Sequence, residues 1–191
     1  MRIVFERSTL LNALLPAMGA VSTRGENKII QGIRLKTQGS DKCVITSFDV
    51  EKGFETVIDA DVQTPGCYII SAQKLLNITK NMPDDIIIDV SDKNIAKIMS
   101  GNSKFEVVCI EGNKFPGTPE LSGDYSFSKS QKMLKKLIAE TSFAVADNHQ
   151  KLQLNGAYFQ IREENIRITA LDGFRFAQRF VDCEMENHNV D

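Results

Sequence analysis

The chain has 191 residues, enough for one large or two small domains with real cores, and its 42% hydrophobic and 25% charged content is ordinary for a globular protein. No run approaches the ~18 apolar residues of a membrane-spanning helix, and Met1–Glu6 alternates like a strand rather than a signal peptide, so no membrane partner is expected. The net charge of −2 gives no bulk attraction for nucleic acid, but 72–82 carries +2 and 129–146 carries +3, which leaves −7 on the rest.

In chain order, Arg2–Glu6 reads as a strand, and Ser8 as the cap of a helix with Leu10, Leu11, Leu14, Leu15 and Met18 at helical spacing. Pro16 should bend or shorten that helix. After a loop at Arg24–Asn27, strands are expected at Ile29–Lys36, Cys43–Phe48 and Phe54–Val62. A second round starts with a strand at Cys67–Ile70. Ser71 then caps a helix carrying Leu75, Leu76, Ile78 and Met82, and Pro83 stops it. Three strands follow at Ile86–Val90, Asn94–Met99 and Lys104–Ile110.

Glycines and prolines between 112 and 123 mark a boundary, giving a first domain at 1–115, a linker at 116–124 and a second domain at 125–191. The third round has a strand at Tyr125–Ser128 and a helix capped by Ser128 or Ser130, with Met133, Leu134, Leu137, Ile138 and Thr141 on one face. A loop at Ala146–Gln150 leads to strands at Lys151–Arg162, Asn165–Leu171 and Phe174–Cys183, with Glu163-Glu164 as a turn.

Each round is therefore a βαβββ unit, and the first and third also match in residues about 123 positions apart. Leu10–Leu15 aligns with Met133–Ile138, Gln31-Gly32 with Asn155-Gly156, and Val44–Phe54 echoes Ile166–Phe176. The fold class is α+β: duplicated βαβββ units with helices on one side of antiparallel sheets. The first domain is complete and the second only half present, so the chain is expected to be a truncated piece of something longer.

Little in the sequence supports catalysis. No nucleophile elbow, Walker loop, zinc-protease motif or dinucleotide fingerprint is present. Cys43, Cys67, Cys109 and Cys183 are widely spaced and the two histidines are few, so no metal, cofactor or redox site is expected, and a reducing compartment is the default. Asp49 and Asp172 recur at equivalent places and read as turn formers. Arg24 and the pair Asn148, Lys151 lie in equivalent helix-to-strand loops, either as phosphate contacts or as solvated polar residues. Gly173-Phe174-Arg175-Phe176 has no aromatic counterpart in the first copy. It reads either as a binding surface or as a strand burying Phe174 and Phe176.

Four stretches, taken in order and spacing, carry a resemblance: Glu6-Arg7 before Leu10-Leu11; Gly101–Phe105 with Phe115-Pro116 after it; Leu154-Asn155-Gly156; and Thr169–Phe176. Over essentially its whole length the chain resembles the bacterial sliding clamp, the beta subunit of the replicative DNA polymerase III. The resemblance implies a DNA-clamp fold with three such domains per subunit. Two subunits join head to tail in a ring around duplex DNA, with helices lining the hole. It implies a non-catalytic processivity factor of the DNA-directed DNA polymerase holoenzyme, working in the bacterial cytoplasm. Its partners would be double-stranded DNA without sequence preference, the replicative polymerase, the clamp loader and other proteins bearing clamp-binding motifs.

By position, the resemblance puts Arg24 and Asn148 on DNA. Together with the charge pattern, it makes Lys80, Lys132, Lys135 and Lys136 the duplex-facing surface. It assigns Lys151, Gln153, Leu154, Leu171, Gly173, Phe174, Arg175 and Phe176 to a pocket for partner peptides, and Lys74, Lys104, Phe105 and Val107 to the subunit interface. Phe174 stands where histidine is common, Phe176 where leucine is common, and Asn102 where a basic residue is often found. The alternative reading is a duplicated β-rich protein-interaction module without DNA encirclement.

Overall fold

The computed structural model describes residues 1–23, 27–117, 128–162 and 165–182. The chain divides into two units, Met1–Pro119 and Glu120–Asp191.

In the first unit, β1 (Arg2–Phe5) runs into α1 (Arg7–Ala17), followed by β2 (Gly32–Gln38), β3 (Lys42–Phe48), β4 (Gly53–Asp59) and β5 (Asp61–Thr64). The pattern then restarts with β6 (Cys67–Ser71), α2 (Ala72–Asn81), β7 (Ile86–Val90), β8 (Ile95–Ser100) and β9 (Ser103–Glu111). All pairings are antiparallel, in the order β4-β3-β2-β6-β9-β8-β7-β1-β5. The two rounds exchange their first strands, so that β6 joins β2 and β1 joins β7. Neither round can therefore bury its apolar face alone, and one core runs through both.

Each helix offers apolar residues at i, i+3 and i+4 spacing: Leu10, Ala13, Leu14 and Ala17 on α1, and Ala72, Leu75 and Leu76 on α2, with the buried Thr79 on the same face. They meet Ile3, Phe5, Ile33, Leu35, Ile45, Ile88 and Ile98 from the sheet, all fully buried. Helix ends are tied down by side chains that donate to the free carbonyls there. Arg7 donates to Thr79 O (3.2 Å) and Lys80 O (2.8 Å), and Ser47 and Lys52 donate to Ala17 O (2.7 Å) and Gly19 O (3.1 Å).

Several expectations need correction. The first helix begins at Arg7 rather than after Ser8, and the Glu6 carboxylate accepts from the hydroxyls of Ser8 and Thr9, which lower its pKa. Pro16 lies in its last turn, and a 3-10 turn at Met18–Ala20 follows. The strand expected over Phe54–Val62 breaks at Ala60. There the chain leaves β4 at one end of the strand order and enters β5 at the other, so the two ends of the sheet meet at one residue. After β9, Gly112–Lys114 form a 3-10 turn, and Phe115 is buried with its ring 5.1 Å from the Arg34 guanidinium.

The second unit holds α3 (Gln131–Ala139) and the antiparallel β10 (Tyr158–Ile161), β11 (Asn165–Leu171) and β12 (Phe176–Asp182). Ser130 is the cap, its hydroxyl accepting from Met133 N at 3.3 Å. Among the described residues two small cores form here, Leu137 with Ile166 and Ile168, and Ala144 with Ala170 and Ala177. The strand expected over Lys151–Arg162 is instead a 3-10 turn at Leu152–Asn155 followed by the short β10. The expected strand at Tyr125–Ser128 (apart from Ser128), the Glu163-Glu164 turn and Cys183 lie outside the described residues, as does Arg24. No helix among the described residues is long and apolar enough to cross a membrane, and no group of three or more metal-ligating side chains is found among them.

Candidate functional site

The duplicated aspartates build the same hairpin twice. In the first copy Asp49 Oδ1 accepts from the amides of Glu51 (3.1 Å) and Lys52 (2.7 Å), and Lys52 Nζ lies 3.1 Å from Asp49 Oδ2. In the second, Asp172 Oδ1 accepts from the amides of Phe174 (2.9 Å) and Arg175 (2.7 Å), and Arg175 Nε donates to Asp172 Oδ2 at 2.7 Å. The amides and the neighbouring cation hold the Asp49 carboxyl below its ordinary pKa and bring Asp172 down to about 2, the Arg175 amide contributing most. Both aspartates are turn formers tied to their local backbone.

That turn decides the fate of the aromatics. Leu171 pairs with Phe176 across the hairpin and Asp172 closes it, so Gly173 and Phe174 form the two-residue tip. Gly173 has φ +92°, the backbone that such tips ask of glycine at their first position. Phe174 therefore stands in solvent at 99% exposure, and Phe176 and Leu171, facing each other on one side of the sheet, are 63% and 41% exposed. The reading in which Phe174 and Phe176 are buried strand residues fails: the strand starts two residues later than expected, which leaves Phe174 in the turn, and Phe176, its first residue, is on an exposed face. Tyr158 is on the same face by register, opposite Thr169, and 64% exposed; the sequence reading did not single it out.

Asn148, Lys151, Gln153 and Leu154 share one loop. Ala146 N donates to Leu154 O at 2.9 Å to close it, and Ser22 N to Ile30 O at 3.0 Å closes the corresponding loop of the first copy. Asn148 takes φ +53°, a conformation asparagine tolerates better than most residues. Lys151 and Gln153 are exposed, and Leu154 is half-buried.

The helix lysines all point outward. Lys74 and Lys80 on α2, and Lys132, Lys135 and Lys136 on α3, are exposed, while the opposite faces pack inward through Leu75 and Leu76 and through Leu137. Lys136 lies 4.0 Å from Glu140; Lys80, Lys132 and Lys135 have no ion pair among the described residues. Lys74 and Val107 line a cleft of about 460 Å³ with Lys28, Gln31, Ile69, Ser71, Val108 and Ile110. Val107 is part of the core at 6% exposure, so the neighbouring Val108, 76% exposed, is the residue β9 offers to solvent there. Lys104 and Phe105 lie further along β9, Lys104 3.5 Å from Glu106 and Phe105 46% exposed. Strand β6 pairs with β9 only over Cys109–Glu111, so on that side Ser103–Val108 have no strand partner among the described residues.

Residues 1–119 match the family model described as DNA polymerase III beta subunit, N-terminal domain, and residues 129–191 match that of the central domain. The chain belongs to the DNA polymerase III beta subunit family. It is 29% identical to the beta sliding clamp of Pseudomonas aeruginosa over 191 residues, which cover 99% of this chain and 52% of that one. The beta sliding clamp of Halalkalibacterium halodurans is also 29% identical, over 100% of this chain and 52% of its own. Among solved structures, the Pseudomonas aeruginosa clamp bound to griselimycin superposes with a TM-score of 0.89 at 28% identity, over 99% of this chain and 52% of that one. A DNA polymerase III beta subunit from Eubacterium rectale gives 0.88 at 28% identity, over 100% and 52%. The chain thus spans about half the length of the curated relatives it matches. The expected α+β clamp fold and the resemblance both hold.

Proposed function

We propose that this chain is a working part of a sliding clamp: a non-catalytic processivity factor that encircles duplex DNA and tethers the replicative polymerase and other motif-bearing proteins during replication in the bacterial cytoplasm. The observation that carries this reading is the one-sided chemistry of the helices. Leu75 and Leu76 on α2 and Leu137 on α3 pack inward, while the lysines of both helices face solvent. Of Lys80, Lys132, Lys135 and Lys136, only Lys136 has an acidic partner, Glu140 at 4.0 Å, among the described residues. Exposed lysines suit phosphates met in passing. Contacts to the backbone hold a protein on DNA without reading bases, and they permit sliding.

In this reading Arg24, Lys80, Lys132, Lys135, Lys136 and Asn148 meet the duplex. Leu154, Leu171, Gly173, Phe174, Arg175 and Phe176, rimmed by Lys151 and Gln153, form this chain's side of the peptide pocket. Exposed aromatics around a fixed arginine are the residue types that anchor partners. The edge of β9 left unpaired among the described residues, with Lys104 and Phe105, and the adjoining cleft at Lys74, where Val108 is exposed beside the buried Val107, form the subunit contact, where a partner strand could extend the sheet. Residues 1–115 and 125–191 then act as first domain and half of the second, joined by 116–124.

The test is charge removal in the native protein on DNA. Lys132→Ala and Lys135→Ala should each reduce the slope of log K against log salt by about 0.9 and weaken retention equally for all sequences. A sequence-dependent loss, or an unchanged slope, would favour the interaction module that never meets DNA.

A further inference from the structure

The proposed DNA contact Asn148 and part of the proposed peptide pocket, Leu154, lie on one loop, and the Asn155 side chain spans that loop. Asn155 spans it with both ends of its amide: His149 N donates to Asn155 Oδ1 at 2.7 Å, and Asn155 Nδ2 donates to His149 O at 3.1 Å. The amide imitates a paired strand residue, satisfying donor and acceptor of one backbone position. His149 is in turn the hub of the loop, since its ring Nδ1 accepts from Lys151 N at 3.0 Å. Asn148 immediately precedes this hub, and Leu154 immediately precedes Asn155. Leu154 O also takes the bond from Ala146 N that closes the loop. The loop is exposed from Asp147 to Gln153, so it has little packing of its own to fix its shape. In the first copy the aligned position is Gln31, one methylene longer.

We propose that Asn155 is a positioning residue that sets Asn148 and Leu154 together, so that one amide serves both phosphate contact and peptide seating. The inference rests on the sliding-clamp reading of those two residues. The side chain touches neither ligand in this account; it acts through the backbone of His149.

The experiment measures two affinities on the native protein: for a fluorescent clamp-binding peptide, and for primed duplex DNA at fixed salt. Asn155→Ala removes both bonds, and each affinity should fall about five- to tenfold, with His149 amide exchange accelerating to match. Asn148→Ala should lower only DNA affinity, and Leu154→Ala only peptide affinity. Asn155→Gln keeps the amide at a longer reach and should recover part of both losses. Melting temperature separates this from a folding defect: it should stay near wild type in Asn155→Ala, and if it does not, Asn155→Gln carries the comparison. Loss of one affinity alone, or unchanged His149 exchange, would overturn the proposal and leave the clamp reading standing. Wild-type protein that binds neither ligand would overturn both.

Discussion

The same hairpin occurs twice in this chain, and the difference between the copies separates scaffold from binding surface. At 49–52 and at 172–175 an aspartate accepts two backbone amides and pairs with a cation three residues on. The frame is identical, yet the tips differ. The first copy places Val50 at φ +82°, a backbone that a β-branched side chain adopts only under strain, followed by Glu51. The second places Gly173 at φ +92° without strain and raises Phe174 fully into solvent. The first tip only has to connect two strands. The second presents a side chain that has no structural duty.

The cores differ in the same sense. Ile45 and Ile168 are equivalent and both fully buried, but Ile45 belongs to a core that runs from Met1 to Cys109, and Ile168 belongs to a cluster with Leu137 and Ile166. Truncation of either to Ala should cost about 2–5 kcal/mol. The first unit should absorb that loss and remain folded. The second unit should unfold at room temperature while the first persists, seen as loss of amide protection confined to 131–182. A single cooperative melt in both variants would break the contrast.

Exchanging the tips gives smaller effects of opposite sign. Gly173→Val should destabilise by about 1–2 kcal/mol for backbone conformation alone, because no other atom lies near the site of the added Cβ. Val50→Gly should be neutral or stabilise by up to about 1 kcal/mol, since relief of strain is offset by the extra freedom glycine brings to the unfolded chain. Chemical denaturation with unit-specific amide probes reads both. Equal signs would mean that the two turns are not held alike.

The smallest change in stability should come with the largest change in binding. Phe174→Ala removes a side chain with no packing partner and should shift stability by less than ~0.5 kcal/mol. Peptide affinity should fall about tenfold or more, as expected of an aromatic anchor. Glu51→Ala at the equivalent tip should change neither. A loss of stability in Phe174→Ala would mean that the ring packs in solution.

Much of this was legible from side-chain period. Period alone places Ile86–Val90 and Asn165–Leu171 to the residue, because each alternates apolar and polar positions between clear turn signals. The exposed lysines followed from helical spacing in the same way. What period cannot carry is topology. Nothing in Phe54–Val62 says that Ala60 passes from one end of the sheet to the other, since both halves alternate equally well. Leu152 and Leu154 imitate strand alternation, yet they lie in a 3-10 turn whose register is fixed by a distant partner, Ala146. The hairpin tip lies one residue beyond the expected Asp172-Gly173, and the following strand starts two residues later than expected. Asp-Gly signals a turn, but only the bonds of Asp172 show that it closes the loop rather than occupying its tip. The Asn155 staple had no sequence signal beyond its place before a glycine.

Topological retention separates a clamp from a protein that merely adheres to DNA. The native protein is loaded onto a closed circular duplex, and its dissociation is followed before and after the circle is cut at one site. Encirclement predicts slow loss from the closed circle at salt that screens phosphate contacts, and rapid loss once ends are available for sliding off. Equal dissociation from closed and cut DNA would contradict encirclement and leave a duplicated β-rich interaction module in its place.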